Sequence, residues 1–159
     1  MSISTRLQEF LDREHVRYQV LPHSETYTAG GLAQTLHVPR QELAKVVMVK
    51  VEDRPVMTVL PASWKVDLTR LREIFGTSHV RLATEEELRE LFPDCEVGAM
   101  PPFGNLYGLQ VYVDQSLTED AEIILQAGTH TEAVKLRYQD FARLARPVVA
   151  EFHSGIPRG

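Results

Sequence analysis

Three short segments of the chain carry residue types suited to chemistry at an ester carbonyl. Lys45 stands at the head of the apolar run Val46-Val47-Met48-Val49. Gly98-Ala99-Met100-Pro101-Pro102-Phe103-Gly104 is a glycine-proline stretch, and Ala127-Gly128-Thr129-His130 is a Gly-x-His turn. Glycine lets backbone N–H groups approach a ligand closely, and two successive prolines stiffen the loop that holds those donors. Fixed donors of this kind stabilise the oxyanion that forms when an ester carbonyl is attacked. Each segment also has a plain structural reading. A lysine ahead of a buried strand is an exposed strand end. A GxxxP stretch is a turn between strands. A single histidine near a strand end is a solvated or structural side chain.

Other chemistry is poorly supported. His15, His23, His37, His79 and His153 have no ligand spacing and no cysteine partners, so no metal site and no cofactor are expected. Cys95 lies between Asp94 and Glu96, which disfavour a thiolate and argue against a cysteine nucleophile. There is no GxSxG elbow and no phosphate-binding P-loop. Glu85-Glu86-Glu87 suits the first turn of a helix, where the dipole favours acidic side chains.

The elements that must position these segments alternate early and cluster late. Ile3, Leu7, Phe10 and Leu11 share a helical face, with Ser2 as a cap. Residues 17–21 alternate as a strand ended by Pro22. Thr28 caps a short helix bearing Leu32, Ala33 and Leu36, and Pro39 marks its exit. Residues 45–51 and 56–60 read as paired strands around a turn of Glu52-Asp53-Arg54-Pro55. Asp67 caps a helix with Leu68, Leu71 and Phe75. Thr84 and Glu87 form a capping-box pattern before Leu88, Leu91 and Phe92, stopped by Pro93. Residues 109–113, 122–125 and 133–137 read as three more strands. Phe141, Leu144 and Ala145 mark a last helix stopped by Pro147, and residues 151–159 read as a loose tail. The run after Lys45, apolar at every position, fits a central strand covered on both faces. The fold class is therefore mixed α/β: a central mixed, partly antiparallel sheet surrounded by helices.

The 159 residues suit one domain, residues 1–159, able to bury a real core. A lone cysteine permits no internal disulfide, which fits a reducing cytoplasm. No apolar stretch approaches a membrane span, and the N-terminus has no apolar signal core, so no membrane partner is expected. The net charge of −5 argues against broad binding to DNA or RNA, which rests on neutralising many phosphates. It leaves room for a local site that grips one RNA end.

Taken in order, the apolar-proline step Leu36-His37-Val38-Pro39, Lys45 with its strand, Gly98-x-x-x-Pro102 and Gly128-Thr129-His130 resemble the YbaK family, the editing domains associated with prolyl-tRNA synthetase. The resemblance runs from the region of Thr28 to the last helix. Val46 stands where many relatives carry threonine. The resemblance implies a free-standing enzyme that hydrolyses the ester between a wrong amino acid and tRNA. A small residue such as alanine or cysteine on proline tRNA is the first expectation. The implied partners are the 3′ acceptor end of aminoacyl-tRNA and, as a protein that hands the tRNA over, prolyl-tRNA synthetase.

The resemblance also assigns roles. Lys45 anchors the terminal phosphate or ribose and offsets developing negative charge, or acts as a base if its pKa is depressed. Backbone N–H groups at Gly98 and Ala99 face the carbonyl. Met100, Pro101, Pro102, Gly128, Thr129 and His130 shape the amino-acid pocket. Two other readings stand beside this one. A binding module for an aminoacyl group, nucleotide or protein partner would protect charged tRNA without turning it over. A general small-ester hydrolase would act without regard to tRNA.

Overall fold

The run after Lys45 organises the fold because its two faces enter two different cores. The computed structural model describes residues 4–23 and 42–154. Strand β2 (Ala44–Val51) directs Ala44, Val46 and Met48 into one core, and Val47, Val49 and Val51 into another. This is the arrangement that a continuous apolar strand requires. It pairs with β3 (Arg54–Pro61) as an antiparallel hairpin, Lys45 opposite Leu60. The turn is shorter than the sequence suggested. Glu52 and Asp53 alone make it, with φ of 49° and 69°. Two successive left-handed residues match the twist of a tight hairpin, so Arg54 and Pro55 join β3 and pair with Val51 and Lys50.

The chain continues through β4 (Lys65–Val66), α2 (Leu68–Phe75), β5 (Val80–Leu82) and α3 (Glu85–Leu91). Both predicted caps form. The Asp67 carboxylate accepts from the N–H groups of Thr69 and Arg70, and Thr84 and Glu87 close the capping box in both directions. After a short 3-10 turn come β6 (Val111–Asp114), β7 (Glu122–Gln126), β8 (Glu132–Arg137), α4 (Tyr138–Ala145), β9 (Val148–Ala150) and β10 (His153–Ser154). Ahead of them stand α1 (Thr5–Arg13) and β1 (Tyr18–Pro22).

The main sheet runs β5-β2-β3-β6-β9, antiparallel on the β2 side and parallel from β3 to β9. A second, antiparallel sheet runs β1-β8-β7. A parallel bridge from Leu43 to Ile124 ties the second sheet to the start of β2. The expected mixed sheet with surrounding helices is thus the architecture found. Leu7, Phe10 and Leu11 of α1 and Phe141 and Leu144 of α4 fill the first core, and Leu71 of α2 enters the second.

Two expectations need correction. Ser4, not Ser2, occupies the position before α1, and its hydroxyl donates to Asp94 at 3.2 Å and accepts no bond from a helix N–H. Ser2, Ile3 and the helix expected from Thr28 lie outside the described residues. The tail is not loose over residues 151–154. Phe152 is fully buried in the second core, and His153–Ser154 pair with β4. The fully buried Asp114 holds this strand down, accepting from the N–H groups of Phe152 (2.8 Å) and His153 (3.2 Å) and from the His153 ring (3.0 Å). Burial alone would raise the Asp114 pKa. The hydrogen bonds from Ser116, Phe152 and His153 outweigh it and hold the carboxyl below its ordinary value.

Candidate functional site

Lys45 is the second residue of β2, half-buried on the face that carries Val47. Among the described residues its side-chain ammonium has no hydrogen bond and no ion pair. Its pKa is lowered, first by burial and then by the charge of Lys65. A partly desolvated cation beside a second cation, with no counter-ion among the described residues, is an electropositive point that favours an anion. This is different from the exposed strand end that composition alone would suggest.

The loop and the Gly-x-His turn are brought together. The Gly128 N–H donates to the Ala99 carbonyl at 2.8 Å, and the Glu96 N–H donates to the Gly128 carbonyl at 2.8 Å. The Glu96 carboxylate accepts from the His130 N–H at 3.1 Å. The imidazole Nε2 lies 2.8 Å from the Val97 carbonyl oxygen. A carbonyl only accepts, so Nε2 carries the proton and donates. His130 is 3% exposed and acts as a clasp on the loop.

The two glycines differ in what requires them. Gly98 has φ +88°, but a Cβ there would rest 3.6 Å from the His130 ring without a clash. Gly128 has φ +97°, and a Cβ there would meet the Ser4 Cβ at 2.9 Å. Gly128 is therefore needed for the close approach of the N-terminal segment, whose Ser4 N–H also donates to the Ala127 carbonyl at 2.8 Å.

The proposed donors are unequally free. The Ala99 N–H already donates to the Glu96 carbonyl at 3.0 Å, so it does not face a ligand. The Gly98 N–H points at the Met100 thioether sulfur, 3.2 Å away. Thioether sulfur is a weak acceptor, so this donor is the one a substrate oxygen can take over. Gly98 is also exposed, whereas Ala99, Met100, Pro101, Pro102, Gly128, Thr129 and His130 are buried.

Among the described residues Lys45 makes no hydrogen bond or ion pair with the clasped loop. The isolated parallel Leu43–Ile124 bridge joins the residue two before Lys45 to the residue two before Gln126. Gln126 immediately precedes the Ala127–His130 turn. Its side-chain Oε1 is buried and meets no hydrogen-bond partner. Sequence reading passed over Gln126 and gave Glu96 no role in the site. The signal for Gln126 was weak: a polar residue ending the apolar run Ile123-Ile124-Leu125 just before the turn.

The other candidates resolve simply. Burial pushes the Cys95 thiol up to about 11, with Tyr107 lowering and Asp94 raising it further, so it is no nucleophile at neutral pH. Among the described residues no group of His, Cys, Asp or Glu side chains is placed to hold a metal ion. No described helix is long and apolar enough to cross a membrane.

Comparison with known proteins bears on the same segments. The family model described as the aminoacyl-tRNA editing domain matches residues 23–144, which include Lys45, the loop and the turn. The multifunctional Ser/Thr-tRNA deacylase ProXp-y of Escherichia coli K12 is 28% identical over 152 residues, covering 92% of this chain and 90% of that protein. A proline–tRNA ligase of Macrococcus caseolyticus is 29% identical over 111 residues, covering 68% of this chain and 19% of the ligase. A solved structure described as a candidate trans-editing enzyme for prolyl tRNA synthetase superposes with a TM-score of 0.82 at 26% identity, covering 96% of this chain and 97% of that one.

Proposed function

We infer the function from one premise: this chain belongs to the aminoacyl-tRNA editing domain family. It is an aminoacyl-tRNA deacylase that hydrolyses the ester of mischarged tRNA in trans. Synthetases separate amino acids that differ by one methylene by only about 1–3 kcal/mol, so a second sieve is needed.

The observation that carries the site assignment is Lys45: half-buried and, among the described residues, without a counter-ion. Water attacks the ester carbonyl, forming a new C–O bond and an oxyanion. Collapse breaks the bond to the ribose oxygen, which takes up a proton, and releases the free amino acid and the tRNA hydroxyl. Lys45 supplies positive charge to the terminal phosphate or the developing oxyanion. The Gly98 N–H turns from the Met100 sulfur to the oxyanion. Ala99 takes no part as a donor because its N–H is engaged. His130 and Glu96 hold the loop in place while this happens.

The acyl group is a small amino acid, and the tRNA is proline tRNA. The ligase match supports the latter, and the same match supports prolyl-tRNA synthetase as the partner that hands the tRNA over. Multiple-turnover deacylation of a panel of mischarged tRNAs tests the reading. The expected result is release of amino acid in excess over enzyme, and loss of release in Lys45→Ala. Retention of charged tRNA without turnover would instead mark a binding module.

A further inference from the structure

We propose that His153 is a catalytic residue of the deacylase, whose Nε2 takes the proton of the attacking water and passes it to the departing ribose oxygen. This rests on the deacylase reading above and supplies it with a proton carrier.

Asp114 is fully enclosed, and Nδ1 of the His153 ring lies 3.1 and 3.0 Å from its two carboxylate oxygens. An ionised carboxylate only accepts, so in the neutral ring the proton sits on Nδ1 and Nε2 presents its lone pair. Trp64 stacks on the imidazole, with centroids 3.9 Å apart and 21° between planes, which fixes the plane of the ring. Among the described residues Nε2 meets no hydrogen-bond partner, and the His153 side chain keeps 21% of its surface exposed. The backbone N–H groups of Phe152 and His153 already tie this strand to Asp114, so the attachment does not require an imidazole. An imidazole held at one nitrogen by a buried carboxylate and open at the other has the arrangement of a general base.

The sheet sets this ring on the Lys45 face. Val46 pairs with Val59, and Val59 with Val113, and all three pack into the first core. The next residues toward the open end of the β2–β3 hairpin are Lys45, Leu60 and Asp114, and strand alternation turns them to the opposite face. Lys45 pairs directly with Leu60, which lies in the second core beside Phe152. Neighbouring strands are about 4.8 Å apart, so two spacings, roughly 10 Å, separate the backbones of Lys45 and Asp114. A second line agrees. Val66 pairs with His153 and Lys65 with Ser154, and Lys65 is the residue whose charge reaches Lys45. Lys45 and His153 thus border one patch, with the ammonium for the oxyanion or phosphate and Nε2 for the water. Water gives a proton to Nε2 as its oxygen bonds to the carbonyl carbon. On collapse the electron pair of the ester C–O bond goes to the ribose oxygen, and Nε2–H returns the proton there. The imidazole ends neutral, as it began.

The test separates proton transfer from strand attachment. Single-turnover deacylation of the mischarged tRNA that the wild type cleaves fastest is measured beside thermal unfolding. His153→Gln can still donate to Asp114 through its amide but cannot carry a proton. It is expected to melt close to the wild type and to react about 10²- to 10⁴-fold more slowly, the usual span of general base catalysis. His153→Ala is expected to regain rate with added imidazoles, and the gain should rise with the basicity of the imidazole used. A folded His153→Gln that reacts within about threefold of the wild type overturns the assignment. So does rescue that ignores basicity, because that is the filling of a cavity. If neither variant folds, the wild type decides in heavy water: a slower chemical step is expected, and an unchanged one overturns the assignment. If the wild type hydrolyses no mischarged tRNA at all, the deacylase reading itself falls, and this assignment with it.

Discussion

His130 donates its Nε2–H to the backbone carbonyl of Val97 across 2.8 Å, and this bond closes the glycine-proline loop onto the turn between β7 and β8. The ring is thus committed to the protein. The family resemblance implied a histidine that shapes the pocket; in the structure its ring and its backbone N–H both hold the loop.

His130→Ala should therefore slow deacylation of every accepted amino acid by about tenfold or more, through loss of the Gly98 position. His130→Gln, whose amide can still donate toward Val97, should recover part of the rate. Single-turnover rates for two unlike acyl groups check this. A change in selectivity at unchanged maximal rate would restore the pocket-lining role.

Lys45→Ala should lower single-turnover deacylation by about 100-fold, the usual loss when a group that stabilises transition-state charge is removed. The fold should survive, because a half-buried cation beside Lys65 opposes folding. The sign follows from the lowered pKa. The folded state disfavours the charged lysine, so the penalty is present at neutral pH. It fades as pH rises through the lowered value toward 10.5. The stability gained by Lys45→Met should accordingly shrink as pH rises toward the ordinary lysine value of 10.5. Denaturant melts across that range measure it, and a gain that grows with pH would contradict it.

Gly98→Ala and Gly128→Ala should separate cleanly. Both replace a left-handed glycine, which costs about 1–2 kcal/mol. Only Gly128→Ala also drives a Cβ to 2.9 Å from Ser4, adding roughly 1–3 kcal/mol of overpacking. Gly128→Ala should be clearly the less stable of the two, while Gly98→Ala should lose activity with only the smaller, backbone loss of stability. Thermal unfolding beside deacylation decides the order.

Phe152→Ala should cost about 3–5 kcal/mol, as for a fully buried aromatic, although it lies seven residues from the end of the chain. Asp114→Asn should weaken the same attachment. Asp114 has a depressed pKa, so its contribution is present above its ordinary 3.8 and is lost as pH falls through the lower folded value. The stability gap between wild type and Asp114→Asn should be constant near neutrality and close at strongly acidic pH. Urea midpoints at several pH values follow it, and a gap that widens in acid would refute the role.

The sequence by itself determined what depends on neighbours along the chain. The Asp67 cap, the Thr84–Glu87 capping box, the two-sided apolar strand after Lys45 and the order of helices and strands are local patterns of side-chain type and spacing. The three segments that mark the editing family are equally visible in one dimension. Tertiary structure decided everything that depends on which backbone groups find partners far away in sequence. The Ala99 N–H, a proposed donor, is used by Glu96, and Gly128 serves Ser4 across 124 positions. Phe152 turned from tail to core because Asp114, 38 residues earlier, holds its N–H. Gln126, at the end of β7, became notable only when packing left its oxygen enclosed and unmatched. Burial and hydrogen-bond satisfaction are properties of the packed chain, and residue order alone does not contain them.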